Sequence, residues 1–203
     1  AGAVVAMLGR GALASSVNLL YSTDPSNASS WTPFAIGTDT ITLANIGDKV
    51  WFKAGPGGNT QFYAGLVNNV RFVINSGLIA ASGSVQSLIN GEEETYSIPA
   101  DACFRTLFTT CSALTSAPDL PATSLMTSCY NMMFYNCTSL TSAPTLPAVA
   151  LEQYCYTGMF RGCTSLTTAP YLPATTLTTG CYVNMFQDCS SLTAIRTAQT
   201  DAF

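Results

Sequence analysis

All eight cysteines of this 203-residue chain fall on a single lattice. Cys103, Cys129, Cys155 and Cys181 follow one another at intervals of 26, and Cys111, Cys137, Cys163 and Cys189 repeat the interval eight positions later. The period is not confined to sulfur. Phe104, Tyr130, Tyr156 and Tyr182 form an aromatic column, and Phe108, Phe134, Phe160 and Phe186 form a second. Leu107, Met133, Met159 and Met185 make a third, Leu114, Leu140, Leu166 and Leu192 a fourth. Pro118, Pro144 and Pro170 recur with Pro121, Pro147 and Pro173. A fixed period in the twenties is the mark of a solenoid, whose units cannot bury an apolar face alone and must stack.

Within one unit the first cysteine, the Met or Leu and the second cysteine stand at i, i+4 and i+8, with aromatics at i+1 and i+5. This spacing predicts one stripe on a helix of about two to three turns. In the following "TSLTSAPTLPA", Pro144 and Pro147 exclude a helix interior. Each 26-residue unit therefore reads as an extended strand, a Pro-bounded turn and a short helix, with strands stacking on one side and helices on the other.

The first half has a different grammar. "VNLLYS", "TITLA", "VWFKA", "VRFVIN" and "LIAASG" read as short strands separated by turns, which suggests a small β-sandwich-like domain. Gly47-Asp48 and Ser76-Gly77 are expected to close two hairpins. The predicted organisation is an N-terminal arm over 1–16 that docks on a neighbour, a β-rich domain over 17–97, repeats over 98–192 and a tail over 193–203. After Leu192 the tail replaces the prolines by "TAIRTAQTDAF", so the stack stops without an evident polar cap.

Composition limits the chemistry. Histidine is absent, which removes the commonest general base and the commonest neutral metal ligand. No Ser-His or Cys-His pair can be built. Charged residues are 9% of the chain against roughly 25% in an average domain, and the net charge is −4. Seven scattered Lys and Arg form no basic stripe, so nucleic acid is not an expected partner. The acidic cluster Glu92 to Glu94 follows Gly91 and reads as a solvated turn. The apolar opening "AGAVVAMLGRGALASS" is too short and too Gly-rich to span a bilayer. No catalytic residue, cofactor or membrane span is expected. Asn27-Ala-Ser29 and Asn136-Cys-Thr138 match the N-glycosylation pattern and are read as chance matches.

The cysteines do not read as a metal site, because spacings of eight and eighteen lack the close C-x2-C pairs of zinc sites. On a straight helix an i, i+8 pair lies about 12 Å apart, beyond the roughly 7 Å limit for a disulfide. Two readings remain: buried reduced thiols filling the space between stacked units, or disulfides between equivalent cysteines of neighbouring units. The reduced form is favoured, and both stay open.

"LPATTLTTGCYVNMFQDCSSLT" and its siblings resemble the BspA-like class of leucine-rich repeats, from about Cys103 to Leu192. The segments "ITLANIGDKVWFKA", "ASGSVQSLI" and "IPADACF" resemble the β-rich leader module that often precedes them. The resemblance implies an α/β leucine-rich-repeat-type solenoid after a small all-β domain, placed on a cell or virion surface in bacteria or their phages. It also implies adhesion or binding of protein or glycan, without catalysis.

Columns that vary between units mark the expected exposed surface. Asp119, Thr145 and Tyr171, between the paired prolines, are the first candidate binding row. Tyr135, Arg161 and Gln187 are the second, with Asn131, Thr157, Val183 and Met132, Gly158, Asn184 also varying. Trp31, Trp51 and Tyr63 are candidate aromatic contacts in the first half, against the alternative of core packing. The competing expectation is a structural subunit of an extracellular assembly, a phage decoration or fibre protein or a filament, self-assembling through its termini.

Overall fold

The computed structural model describes residues 2–91 and 96–198. The chain is β-rich. Its elements are β1 (Ala3–Arg10), α1 (Gly11–Ser16), β2 (Leu19–Ser22), β3 (Thr32–Pro33), β4 (Thr40–Leu43), β5 (Trp51–Ala54), β6 (Asn69–Val73), β7 (Ile79–Ala80), α2 (Ser87–Asn90), β8 (Leu114–Ser116), β9 (Tyr171–Leu172) and β10 (Arg196–Thr197). The acidic cluster at Glu92 to Glu94 and the last five residues of the tail lie outside the described residues.

Residues 3–10 are not an arm that reaches to a neighbour. They form the central strand of a three-stranded antiparallel sheet, order β4-β1-β6. "AVVAMLGR" alternates, so Val5 and Met7 enter the core while their neighbours face outward. The small residues of this segment serve close packing: a Cβ on Gly9 would lie 2.5 Å from that of Ala14, so α1 folds back over β1 at a residue without a side chain. A second antiparallel sheet has the order β3-β2-β5. Phe52 of β5 meets Phe72 of β6 edge to face at 5.3 Å, which joins the two sheets.

Neither expected hairpin forms. β4 pairs with β1 and β5 with β2, so the turn at Gly47-Asp48 is a crossover between sheets. Likewise β6 pairs with β1, whereas β7 pairs in parallel with β8, at the first repeat. Turn residues mark where the chain reverses but do not choose which strand its next segment pairs with.

The helix expected in each repeat is absent. Its place is taken by a coil of successive turns with a left-handed residue every fourth position. These are Ala102, Thr106 and Thr110; Ser128, Met132 and Asn136; Tyr154, Gly158 and Gly162; and Gly180, Asn184 and Asp188. An α-helix admits no such residues. The N–H groups divide alternately. Those of Met133 and Tyr135 reach back three residues, to the carbonyls of Tyr130 and Met132. Those of Tyr130, Met132, Phe134 and Asn136 cross to Cys155, Thr157, Met159 and Arg161 of the next unit. Half the donors that a helix would keep for itself bind one unit to another.

The strand side is correspondingly slight. It consists of isolated parallel bridges, Ser116↔Ser142, Ser142↔Thr168 and Ala150↔Thr176, plus the β9–β10 pair, rather than a continuous sheet. Prolines without N–H explain the interruption. Threonines reinforce it: Thr141 and Thr167 each give both N–H and Oγ1 to the carbonyl one unit earlier.

Inside, the repeated columns are buried and in register. Phe104, Tyr130, Tyr156 and Tyr182 stack at 5.8–5.9 Å with nearly parallel rings, as do Phe108, Phe134, Phe160 and Phe186 at 5.6–5.8 Å. The first half continues both columns. Phe62 stacks on Phe104 at 6.0 Å and Phe72 on Phe108 at 4.9 Å. The N–H groups of Phe62 and Phe72 bond to the carbonyls of Cys103 and Leu107. One apolar core therefore runs through both halves.

Candidate functional site

In the dipeptide between the paired prolines the backbone is extended, so successive side chains point to opposite sides. Leu120, Leu146 and Leu172 turn inward and are buried. Asp119, Thr145 and Tyr171 turn outward and are exposed. Main-chain bonds fix both ends of this row. The Asp119 N–H donates to the Gly83 carbonyl at 2.8 Å, and the Val85 N–H donates to Asp119 at 3.1 Å. At the far end Tyr171 is in register with Arg196 on the neighbouring strand, and the Ala198 N–H reaches the Leu172 carbonyl at 2.9 Å. The outcome is a strip with a carboxylate at one end and an exposed phenol ring beside an exposed arginine at the other. Arg196 is a member that sequence reasoning missed, because it occupies a position where the other units carry proline.

The second row lies on the turn coil. The carbonyls of Tyr135, Arg161 and Gln187 accept from Thr110, Asn136 and Gly162 of the preceding units. The Arg161 guanidinium lies 5.9 Å from the Tyr135 ring, and its Nε is 3.6 Å from Asp188 Oδ2. Arg161 is thus held between neighbours on both sides, a geometry suited to planar recognition of a carboxylate or a stacked ring. Gln187 is exposed.

Variation between units does not by itself mean exposure. Asn131 is buried and its Oδ1 has no partner, and Gly158 is buried too, whereas their counterparts Val183 and Asn184 in the last unit are exposed. Met132, Gly158 and Asn184 share a left-handed backbone position. The aromatic contacts named for the first half are already engaged: Lys53 Nζ covers the Trp31 ring at 4.1 Å, and Arg105 covers the buried Tyr63 at 4.6 Å. Trp51 is half-buried on the rim of a groove of about 670 Å³ at the seam between the halves, floored by Phe52, Phe72 and Phe108.

No protein-family model, curated protein or solved structure matches this chain.

All eight cysteines are free thiols. Cys111 donates to the Phe72 carbonyl at 3.3 Å, and Cys137, Cys163 and Cys189 to Phe108, Phe134 and Phe160 at 3.0–3.1 Å. Each S–H therefore ties its unit to the one before. Burial pushes Cys111, Cys129, Cys155 and Cys163 up to about 12, with neighbouring thiols adding to the rise at Cys155 and Cys163. Such thiols stay protonated near neutrality and are poor nucleophiles and metal ligands. Among the described residues no group of three or more His, Cys, Asp and Glu is placed to hold a metal ion, and no helix is long and apolar enough to cross a membrane.

Proposed function

We propose that the chain is a non-enzymatic, surface-displayed binding module, with a leucine-rich-repeat-type solenoid of BspA-like character mounted on its β-rich first half. The observation that carries this reading is the exposed row Asp119–Thr145–Tyr171 with Arg196 beside it, held by main-chain bonds on a stack whose aromatic, Met and first-cysteine columns are committed to packing. Its mixture of carboxylate, hydroxyl, phenol and guanidinium suits a protein or glycan surface, and its rigidity limits the entropy lost on binding. The resemblance of the repeats to bacterial and phage surface proteins supports an extracellular, cell-surface or virion location. Buried, protonated thiols are compatible with an oxidising environment.

Immobilised mucin, which offers both glycan and protein, is a suitable probe. Tyr171→Ala and Asp119→Ala are expected to weaken retention by about tenfold each while leaving the melting temperature unchanged. Retention equal to that of the parent in both variants would sink this assignment of the binding row.

A second reading, a structural subunit of an extracellular assembly, is favoured by one observation. The N–H groups of Gly180, Tyr182, Asn184, Phe186 and Asp188 in the last unit meet no acceptor among the described residues.

A further inference from the structure

The arginines are scattered along the sequence, but the fold gathers four of the five on one face. β1 and β6 pair so that Leu8 stands opposite Arg71 and Arg10 opposite Asn69, while Met7, Val70 and Phe72 turn into the core. Arg10 and Arg71 therefore share the outer face of the sheet. Tyr63 bridges to Asn69 on that face, and Arg105 of the first repeat lies over its ring at 4.6 Å. Arg71 reaches across to the turn coil, where its Nη1 donates to the Thr109 carbonyl and to Thr110 Oγ1, both at 3.1 Å. Its Nε and Nη2 meet no acceptor among the described residues. Two units on, Arg161 stands in the same column as Thr109 and Tyr135 and completes the row. Two acids border it. Asp101 turns its Oδ1 to the Thr127 N–H at 3.0 Å, and Asp188 meets Arg161 at 3.6 Å with both side chains open to solvent, a pair that holds little energy. Arg105 Nε and Asn131 Oδ1, at equivalent outward positions of adjacent units, are buried without a partner.

We propose that this face binds a linear anionic polysaccharide, one with carboxylate or sulfate groups on alternate sugars and hydroxyls between them. Arg71 and Arg161 take successive acidic groups, because a guanidinium fork matches the paired oxygens of such anions. The spacing selects this occupant. Phe108, Phe134 and Phe160 set the step between units at 5.6 Å, so the Thr109 anchor of Arg71 and the Arg161 backbone are two steps, about 11 Å, apart. That span is comparable with a disaccharide. An extended acidic peptide repeats its side chains on one face every ~6.7 Å, which matches neither one step nor two. A single-stranded nucleic acid needs open rings for its bases, whereas Tyr63 and Tyr135 are already covered by Arg105 and Arg161. The unanswered Arg105 Nε is a donor and Asn131 Oδ1 an acceptor, a pair of needs that a hydroxyl meets and a carboxylate alone does not. The proposal concerns the turn-coil side and does not rest on the Asp119 row.

Calorimetric titration of the full chain with heparin tests this, with neutral dextran as the control. Heparin should bind and dextran should not, and the heparin affinity should fall on the order of tenfold between about 50 and 200 mM salt. Arg71→Gln and Arg161→Gln should each weaken heparin binding about tenfold at an unchanged melting temperature. Arg161→Lys keeps the charge without the fork and should recover part of that loss. Lys49→Gln removes the same charge from an exposed loop of the first half and should leave binding as it is. Absence of heparin binding at low salt would overturn the proposal, as would a loss in Lys49→Gln equal to that in the arginine variants. Binding of poly-glutamate or of oligothymidylate as tight as that of heparin would overturn it too, giving the face to an acidic peptide or to a nucleic acid.

Discussion

The two halves of this molecule satisfy their backbones in opposite ways. In the first half, antiparallel strands pair within the half, and side chains such as Asn59, which bonds to Asn18 and Leu88, knit its loops. In the second half, alternate N–H groups leave their own unit and are answered only by the next. The antiparallel sheets of the first half therefore hold their shape through internal partners, while Phe62, Phe72, Ile79, Ala81 and Val85 send their N–H groups to the first repeat, and a repeat unit is complete only in company. The seam at Phe62, Phe72 and Phe108 is where a self-satisfied region becomes the template for a dependent one.

The largest expected departure between the halves is alkaline. All eight cysteines lie in the repeats and histidine is absent throughout. Burial holds the Cys111, Cys129, Cys155 and Cys163 thiols up to about 12, against about 8.5 for exposed ones, so the unfolded chain sheds protons first as pH rises. Stability should be full below about pH 8.5 and fall progressively from there towards 12. At pH 10 the loss should be on the order of 1–2 kcal/mol for each of these four thiols. Urea melts at pH 7 and pH 10 check this. Equal midpoints at both pH values would show that the thiols are not protonated in the fold.

Phe72→Ala probes the seam itself. Its ring touches both Phe52 and Phe108, and its carbonyl accepts the Cys111 thiol. Truncation should cost about 3–5 kcal/mol. Because the repeats depend on their template, both halves should melt in one displaced transition. Two separated transitions would mean that the repeats hold themselves up and that the contrast drawn above is wrong. Cys137→Ala should cost less, about 1–3 kcal/mol, from the cavity and from the loss of one of the two donors to the Phe108 carbonyl, which keeps the Cys111 N–H. Cys137→Ser keeps a donor and should recover part of that loss. Cys189→Ala, at the half-exposed end of the same column, should cost least of the three.

The interior columns were legible because a 26-residue period needs only counting, and the strands at Leu19–Ser22, Thr40–Leu43, Trp51–Ala54, Asn69–Val73 and Ile79–Ala80 were legible from alternation. Their pairing was not, since Ile41 and Phe52 carry the same local signal whether they face each other or different strands. The row at Asp119, Thr145 and Tyr171 could be read from proline and alternation, but Arg196 joins it only through strand register. The helix failed for a more instructive reason. Residues at i, i+4 and i+8 drift by about 80° around an α-helix of 3.6 residues per turn, whereas a four-residue turn coil keeps them in line. Cys129, Met133 and Cys137 are all fully buried, which fits the second geometry. Glycine, asparagine or aspartate at six of the twelve left-handed positions was a further signal in the sequence.

The smallest expected effect is also the one whose sign separates the two geometries. Ser128 sits at φ 58°, half-buried, as the first left-handed residue of its unit. In a turn coil, Ser128→Gly removes the Cβ penalty of that conformation and should stabilise the chain by about 0.5–1 kcal/mol, after allowing for the greater freedom of glycine in the unfolded state. In an α-helix the same change would destabilise by about 0.5 kcal/mol. Ser128→Ala should sharpen the test, being neutral or slightly destabilising in the coil and stabilising in a helix. Denaturant midpoints resolve differences of this size when the slope is unchanged. A gain for alanine with a loss for glycine would restore the helix and with it the reading of alternate donors as internal. The opposite order would fix the repeats as coils that depend on their neighbours for half of their main-chain bonds.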